Sequence, residues 1–415
     1  MLLRHVLVLF HSTALVVAYP GMMKSLIGEI QRRQDNDTED EQFDSRELIG
    51  DLLTLTDAQL TPVGRSIKNI ITQGGNDTSE GESPQSDETW DSPVPAKDTP
   101  ECEADVCCIW QYISNDLQQA FRGSSGRCTK LARGAIRLGF HDAAGFSKAT
   151  GPGGGADGSL VLATEEILRP DNNGLQDPVN YMLELFAQYK SYGITMADLV
   201  QFSAQVAVVV CPLGPRSRTF IGRVDSSEAC PDGLLPPVDG TAAYNIELFR
   251  NKTIEPHGLT ALIGAHTTSQ QFFVDTDRAG DPQDSTPGIW DVLFYSQVLN
   301  GAPPRVSEFE SDINLSKAPE SAAEFLKFAT DGQEDWNEDF AREYIRLSLL
   351  SVYQINEMVE CTKVLPPAVK SYTEPDKALL EAWRGSTQQF PLVAEAIFNG
   401  SIVTPELFFN VTDEA

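Results

Sequence analysis

The sequence predicts a mainly α fold between Cys102 and Pro366, and three observations carry that reading. Apolar residues recur at helical spacing in 108–121, 131–143, 158–168, 178–191, 195–209, 258–266, 289–299, 319–330 and 337–358. Alternation at the strand period is sparse, and Gly- and Pro-rich connections separate the periodic runs. The first run begins at Cys108, the second residue of the Cys107-Cys108 pair. The second, within LARGAIRLGFHDAAGF, carries Arg137 and His141. The sixth lies in HGLTALIGAHTTSQ and ends in His266. No internal repeat is evident.

The flanks differ in texture. Residues 1–18, MLLRHVLVLFHSTALVVA, combine an Arg4 charge, an apolar run and a small-residue Val16-x-Ala18 site, the pattern of a secretion signal. A membrane anchor is the competing reading, but the run is short and broken by His11 and Ser12. Residues 19–100 hold 7 positive and 17 negative side chains and the breaker-rich tracts GGNDTSEGESPQSDE and DSPVPAKDTP. They are expected to form an acidic, largely flexible extension. Within it, 42–72 places Leu48, Leu52, Leu53, Leu60, Ile67 and Ile71 at near-helical spacing, enough for a helix or two. The tail, 367–415, has one helical piece around 376–397.

Of 415 residues, 31 are Lys or Arg and 60 are Asp or Glu, for a net charge of -29. A chain this acidic is a poor partner for nucleic-acid phosphates or an anionic membrane. Six Asn-x-Ser/Thr sequons, at Asn36, Asn76, Asn251, Asn314, Asn399 and Asn410, and seven Cys fit an exported, disulfide-bonded protein. No Ser/His/Asp or HExxH arrangement suggests a hydrolase.

Three His remain after signal removal: His141, His257 and His266. Arg137 and His141, four apart, share one face of a helix beside Phe140. One proton acceptor and one fixed cation on such a face suit peroxide O–O cleavage. A helix with a solvated Arg and a surface His fits those residues equally. His266, at the end of an apolar helix, suits an axial haem ligand backed by a carboxylate. Taken alone, it fits a satisfied core histidine better.

The ordered motifs resemble those of the secreted fungal haem peroxidases, class II of the plant-type superfamily, from about Cys102 to Pro366. Arg137–Phe140–His141–Asp142 resembles the distal helix and GGGADGS (153–159) the distal calcium loop. FIGRVDS (220–226) and CPDGLLPP (230–237) resemble connecting motifs. LIGAHTTSQ resembles the proximal helix and DSTPGIWD (284–291) the proximal calcium loop. The resemblance implies the plant-type peroxidase fold, with haem b between two helices and two structural calcium ions.

It also implies roles. His141 would be the distal acid–base, Arg137 the charge stabiliser, Phe140 the flank of the haem face, and Asn172 the group orienting His141, with Glu166 behind it. His266 would ligate the iron, with Asp312 as its carboxylate partner, although Ser311-Asp312 also reads as a helix cap. Distal calcium would take oxygens from Asp142, Gly155, Asp157 and Ser159. Proximal calcium would use Thr267, Asp284, Thr286, Ile289 and Asp291. The implied disulfides are Cys102–Cys108, Cys107–Cys361 and Cys128–Cys211, which leaves Cys230 unpaired.

Specialised members of that family carry extra sites. Where manganese peroxidases place three carboxylates, this chain has Lys130, Gly134 and Phe272. Where lignin peroxidases place a surface Trp, it has Ala261. The expected activity is therefore generic: a secreted monomer using H2O2 to oxidise small donors, phenols above all, in one-electron steps at the haem edge. The alternative is a calcium-stabilised glycoprotein that keeps the fold as a non-enzymatic binding module.

Overall fold

The structure, a computed structural model, describes residues 44–72, 81, 89–90 and 93–409. The segment 1–18, most of the acidic tracts, and Asn36, Asn76 and Asn410 lie outside the described residues. The fold is mainly helical. The first helices are α1 (Pro62–Thr72), α2 (Cys107–Phe121), α3 (Lys130–Ala143), α4 (Gln176–Tyr189) and α5 (Met196–Val210). Next come α6 (Ala242–Arg250), α7 (Pro256–Ile263), α8 (Leu293–Asn300) and α9 (Glu310–Leu315). The last are α10 (Ala322–Asp331), α11 (Gln333–Leu347), α12 (Lys377–Arg384) and α13 (Pro391–Phe398). Among the described residues, the only sheet is a two-residue antiparallel pair, β1 (Phe220–Ile221) with β2 (Val359–Glu360).

Every residue of α5 is buried, as expected of a helix apolar on nearly every side. Its few polar groups are answered inside. Asp198 pairs with Arg223 at 2.9 Å, and Gln201 Nε2 donates to the Gly139 carbonyl at 3.0 Å. Helix α3 lies along α5 and touches it closely at Gly139. A Cβ there would stand 2.7 Å from Ala204 Cβ and 2.3 Å from Tyr344 Oη. A larger side chain would push α3 off its bed, and His141 sits two residues further on. Among the described residues, no single helix is long and apolar enough to cross a membrane.

Three predicted helices are shorter than their sequence pattern. The run 158–168 gives one turn, Ser159–Leu162, before irregular chain. Arg169 precedes Pro170 and takes extended backbone, as a residue before proline does. The run 337–358 stops at Leu347, because Arg223 captures the Ser348 carbonyl at 2.8 Å and the Ala156 N–H takes that of Leu350 at 3.0 Å. The run 258–266 leaves α-geometry at Gly264 and tightens into a 3-10 turn, Gly264–Thr268. Helix α6 was missed, although Thr241 caps its first turn.

Much of 44–72 is part of the packed body rather than an extension ahead of it. Ile67, Ile70 and Ile71 of α1 are fully buried. The Arg346 guanidinium, itself buried, donates to the carbonyls of Ser45 and Glu47 at 2.8 Å and to that of Ile71. Asn356 Oδ1 accepts from the Thr61 N–H at 2.8 Å, just before α1 begins. A buried cation needs those carbonyls as much as the segment needs the apolar contact.

The tail docks through its own small core of Leu380, Trp383, Val393, Ile397 and Val403. One buried ion pair joins it to the body: Arg127 to Asp376 through two hydrogen bonds of 2.7 and 2.8 Å. Burial raises the Asp376 pKa, but the Arg127 hydrogen bonds and the Val403 N–H reverse this and leave it below the usual carboxylate value. Asp376→Ala strands a buried guanidinium, so chemical denaturation at pH 7 should show a loss of about 3–5 kcal/mol. Because the folded pKa is depressed, the pair's contribution is complete above the ordinary carboxylate pKa. It fades as pH falls through the folded value, so the gap between wild type and variant should narrow in acid.

Candidate active site

Along α3, Gly134, Arg137, Phe140 and His141 stay partly exposed, while Ala135, Ile136, Leu138 and Gly139 are buried. That three- and four-residue spacing gives the helix one open face. Thr129 Oγ1 caps the helix by accepting from the Ala132 N–H at 3.3 Å. On the open face, Arg137 Nε donates to His141 Nε2 at 3.1 Å, and His141 Nδ1 lies 2.8 Å from Asn172 Oδ1. The guanidinium can only donate, so Nε2 carries the lone pair and Nδ1 carries the proton. Asn172 is held in turn, with Nδ2 donating to the Glu166 carbonyl at 2.8 Å. Arg137 is pinned by the Asn173 and Asp171 carbonyls at 2.7 and 2.9 Å. Burial, and then the nearby Arg137 charge, push the His141 pKa down to about 3. The imidazole is a neutral base throughout the mildly acidic range.

The Glu166 carboxylate does not touch Asn172; only its backbone carbonyl does. The carboxylate accepts from Cys230 N–H and Sγ, both at 2.9 Å. Arg169 adds bonds to Cys230 Sγ at 3.2 Å and to its carbonyl at 2.6 Å. Cys230 is buried and unpaired, and burial with Glu166 raises its thiol pKa to about 12. Its environment suppresses the reactive thiolate.

His266 sits in the 3-10 turn after α7. Its Nδ1 lies 3.1 Å from Asp312 Oδ2 on α9, and Asp312 is buried. Gln283 Nε2 also reaches that oxygen at 3.4 Å. No side-chain hydrogen bond caps the N-terminus of α9, so the Asp312 carboxylate points to the ring rather than to its own helix. Phe294 and Phe309 stand edge-on to the imidazole at 5.6 and 5.7 Å. Sequence reasoning missed both; Phe309 was within view, three residues before Asp312. The His266 side chain is 34% exposed, and nothing among the described residues bonds its Nε2. A backed, partly exposed imidazole with a free nitrogen fits an iron ligand. The loops after the two His meet at one edge, where Phe273 approaches Gly174 beside Arg137.

Two acidic clusters adjoin the two His. In one, Asp142 is fully buried beside Asp157, and Ser159 Oγ is buried without a hydrogen-bond partner. Burial, and then the Asp157 charge, raise the Asp142 pKa well above its usual value. Among the described residues no Lys or Arg pairs with either carboxylate. The Gly155 carbonyl accepts the Asp157 N–H at 2.8 Å. In the other cluster, Thr267 Oγ1 bonds Asp284 and lies 3.4 Å from the Ile289 carbonyl. Thr286 Oγ1 lies 3.2 Å from Asp284 and 3.1 Å from Asp291. Burial, and then the Asp291 charge, raise Asp284 well above the carboxylate range. Converging hard oxygens without a cation side chain suit Ca²⁺.

The cysteines pair as the resemblance implies: Cys102–Cys108, Cys107–Cys361 and Cys128–Cys211. Lys130 is paired with Asp177 at 2.6 Å and stands 5.2 Å over the Phe398 ring. Phe272 lies 4.9 Å from the same ring. Ala261 is buried, its carbonyl accepting from Trp336 Nε1 at 2.9 Å.

The helical fold and the two backed His, each followed by an acidic cluster, define a peroxidase architecture. A family model described as "Peroxidase" matches residues 113–331, and the chain belongs to that family. It is 29% identical over 291 residues to a peroxidase of Arthromyces ramosus, covering 65% of this chain and 78% of that protein. It is 30% identical to ligninase C of Trametes versicolor, over 63% of this chain and 75% of the relative. Against manganese peroxidase H4 of Phanerodontia chrysosporium the identity is 27%, over 70% and 81%. Within the family this is a fungal class II peroxidase, a haem-dependent oxidoreductase acting on hydrogen peroxide. Nothing in these relationships favours a non-enzymatic module.

Proposed function

We propose that the chain oxidises small phenolic donors singly with H2O2, using haem b held between His141 and His266. The observation that carries this is the partly exposed His266, its Nε2 free and its Nδ1 backed by Asp312. Haem bound there supplies the electrons that reduce the peroxide and the oxidising equivalents passed to the donor. The protein's part is proton and charge handling. His141 Nε2 takes the proton from one peroxide oxygen and returns it to the other, which leaves as water. Arg137 steadies the negative charge that builds on the departing oxygen. Phe140 flanks the haem face. Asn172 keeps the His141 proton on Nδ1, so Nε2 is free to accept. Asp312 makes His266 more electron-donating.

Two calcium ions, one at Asp142, Gly155, Asp157 and Ser159, the other at Thr267, Asp284, Thr286, Ile289 and Asp291, hold the two helices in register. We propose that 1–18 directs export and that the protein works outside the cell as a glycosylated monomer. A Mn²⁺ cage is not supported by Lys130, Gly134 and Phe272, since Phe398 packs between the Lys and the Phe. A steady-state screen with H2O2 tests the donor. Phenols should turn over, while Mn²⁺ and a high-potential non-phenolic dye should not. Robust Mn²⁺ oxidation would overturn the donor assignment.

A further inference from the structure

Apart from the haem site and the two acidic clusters beside it, the described residues contain a further cluster of metal-ligating side chains: His257, Glu324 and Asp339. His257 stands near the start of α7, Glu324 on α10 and Asp339 on α11. His257 Nδ1 lies 2.8 Å from Asp44 Oδ1, in the segment that leads to α1. With the proton on Nδ1 donated to Asp44, the Nε2 lone pair faces Asp339 Oδ2 at 2.9 Å and Glu324 Oε1 at 3.6 Å. Three acceptors then meet at one point.

A proton on Nε2 resolves only part of this. It can serve Asp339, which lies at hydrogen-bond distance, but not Glu324. Glu324 is 8% exposed, and its Oε1 has no hydrogen-bond partner. The nearest cation is the Lys327 ammonium at 3.4 Å, which is half exposed and shared with Asp335 at 3.5 Å. Arg46 is spent on the other Asp44 oxygen at 3.0 Å. One buried carboxylate oxygen thus points into the cluster with no hydrogen bond, only the long ion-pair contact to Lys327.

We propose that His257 Nε2, Glu324 and Asp339 bind a divalent transition-metal cation, with Asp44 orienting the His from behind. The geometry is close to what that needs. The ligand atoms all lie within 4.8 Å of one another. Zn²⁺ bound at about 2.0–2.2 Å sets tetrahedral ligands about 3.3–3.6 Å apart, so sub-ångström side-chain shifts complete the site. A carboxylate on the far nitrogen of a ligating His is the usual support. One imidazole and two carboxylates favour Zn²⁺ over Mn²⁺ in affinity, and the partial exposure of His257 and Asp339 leaves room for a water ligand. The ion would fasten four parts of the chain together: the segment before α1, α7, α10 and α11.

The test is isothermal titration of the full-length holoprotein with ZnCl2 at pH 7.5, in saturating Ca²⁺ so that the oxygen-only sites stay filled. The expected result is one site of micromolar or tighter Kd, with a Zn²⁺-dependent rise in Tm. His257→Gln should weaken binding at least 100-fold, and Glu324→Gln at least 10-fold. Asp44→Asn should cost about 10- to 100-fold by loosening the His. Circular dichroism of each variant confirms the fold, and Glu324→Gln, which breaks no hydrogen bond, remains informative should His257→Gln misfold. Absence of Zn²⁺ binding, or binding unchanged in the folded Glu324→Gln and His257→Gln proteins, would overturn the proposal and leave a protonated His257 in an ion-pair network.

Discussion

His141→Ala holoprotein is expected to bind haem normally and to react with H2O2 about 10²–10⁴ times more slowly than wild type. The variant removes the one neutral base on the open face of α3 and leaves Arg137, Asn172 and His266 in place. Stopped-flow mixing with H2O2 gives the rate, and the visible spectrum of the resting protein checks that the iron ligand is unchanged. Arg137→Leu should lose about 10²–10³ by the separate route of charge stabilisation. The two losses should not add, because Arg137 Nε and His141 Nε2 are hydrogen-bonded and act on one transition state. A His141→Ala protein within a few-fold of wild type would remove His141 from the mechanism. The pH profile gives a further check. With its pKa near 3, the base stays unprotonated, and the peroxide step should be flat from pH 7 to about 4 and decline only below that.

Calcium removal should be nearly as damaging, although it deletes no catalytic group. Asp142 follows His141 in sequence and Thr267 follows His266. A cation at each cluster therefore acts directly on the helix turns that carry the two imidazoles. Without it, Asp142 faces Asp157 and Asp284 faces Asp291, all with burial working against charge. An ion present at 100 to 1,000 times its Kd contributes about 2.7–4.1 kcal/mol per site. Two such sites are a large share of a total that is about 5–15 kcal/mol for most proteins. A chelator should therefore lower Tm and abolish turnover, and added Ca²⁺ should restore both. Asp284→Asn should reproduce the loss at one site. Unchanged Tm and turnover in chelator would show that the clusters are solvated acidic turns.

The sequence made the fold class and the centre of the site legible because both rest on local spacing. Arg137 and His141 are four apart on a regular helix, and Glu166 and Asn172 belong to one short loop. Even the shortened interval from His266 to Asp312 led to the right neighbour, since the structure joins them at 3.1 Å. What was not legible depends on distant partners. The helix ending at Leu347 stops because Arg223, more than a hundred residues earlier, takes the Ser348 carbonyl. The segment 44–72 lies within the acidic, breaker-rich stretch 19–100 and so looks like part of a flexible extension, yet a single buried cation, Arg346, draws its carbonyls into the core. Cys230 gave no sign of its Glu166 and Arg169 partners. The role of His257 was invisible, because its three carboxylates come from three separate parts of the chain.

The most direct test of the account is a redox titration of the purified holoprotein by stopped-flow spectroscopy. One equivalent of H2O2 should shift the haem spectrum fully, and two equivalents of a one-electron phenolic donor should return it to the starting spectrum in two resolved steps. A protein that holds haem through His266 yet shows no spectral response to H2O2 would contradict the account at its centre.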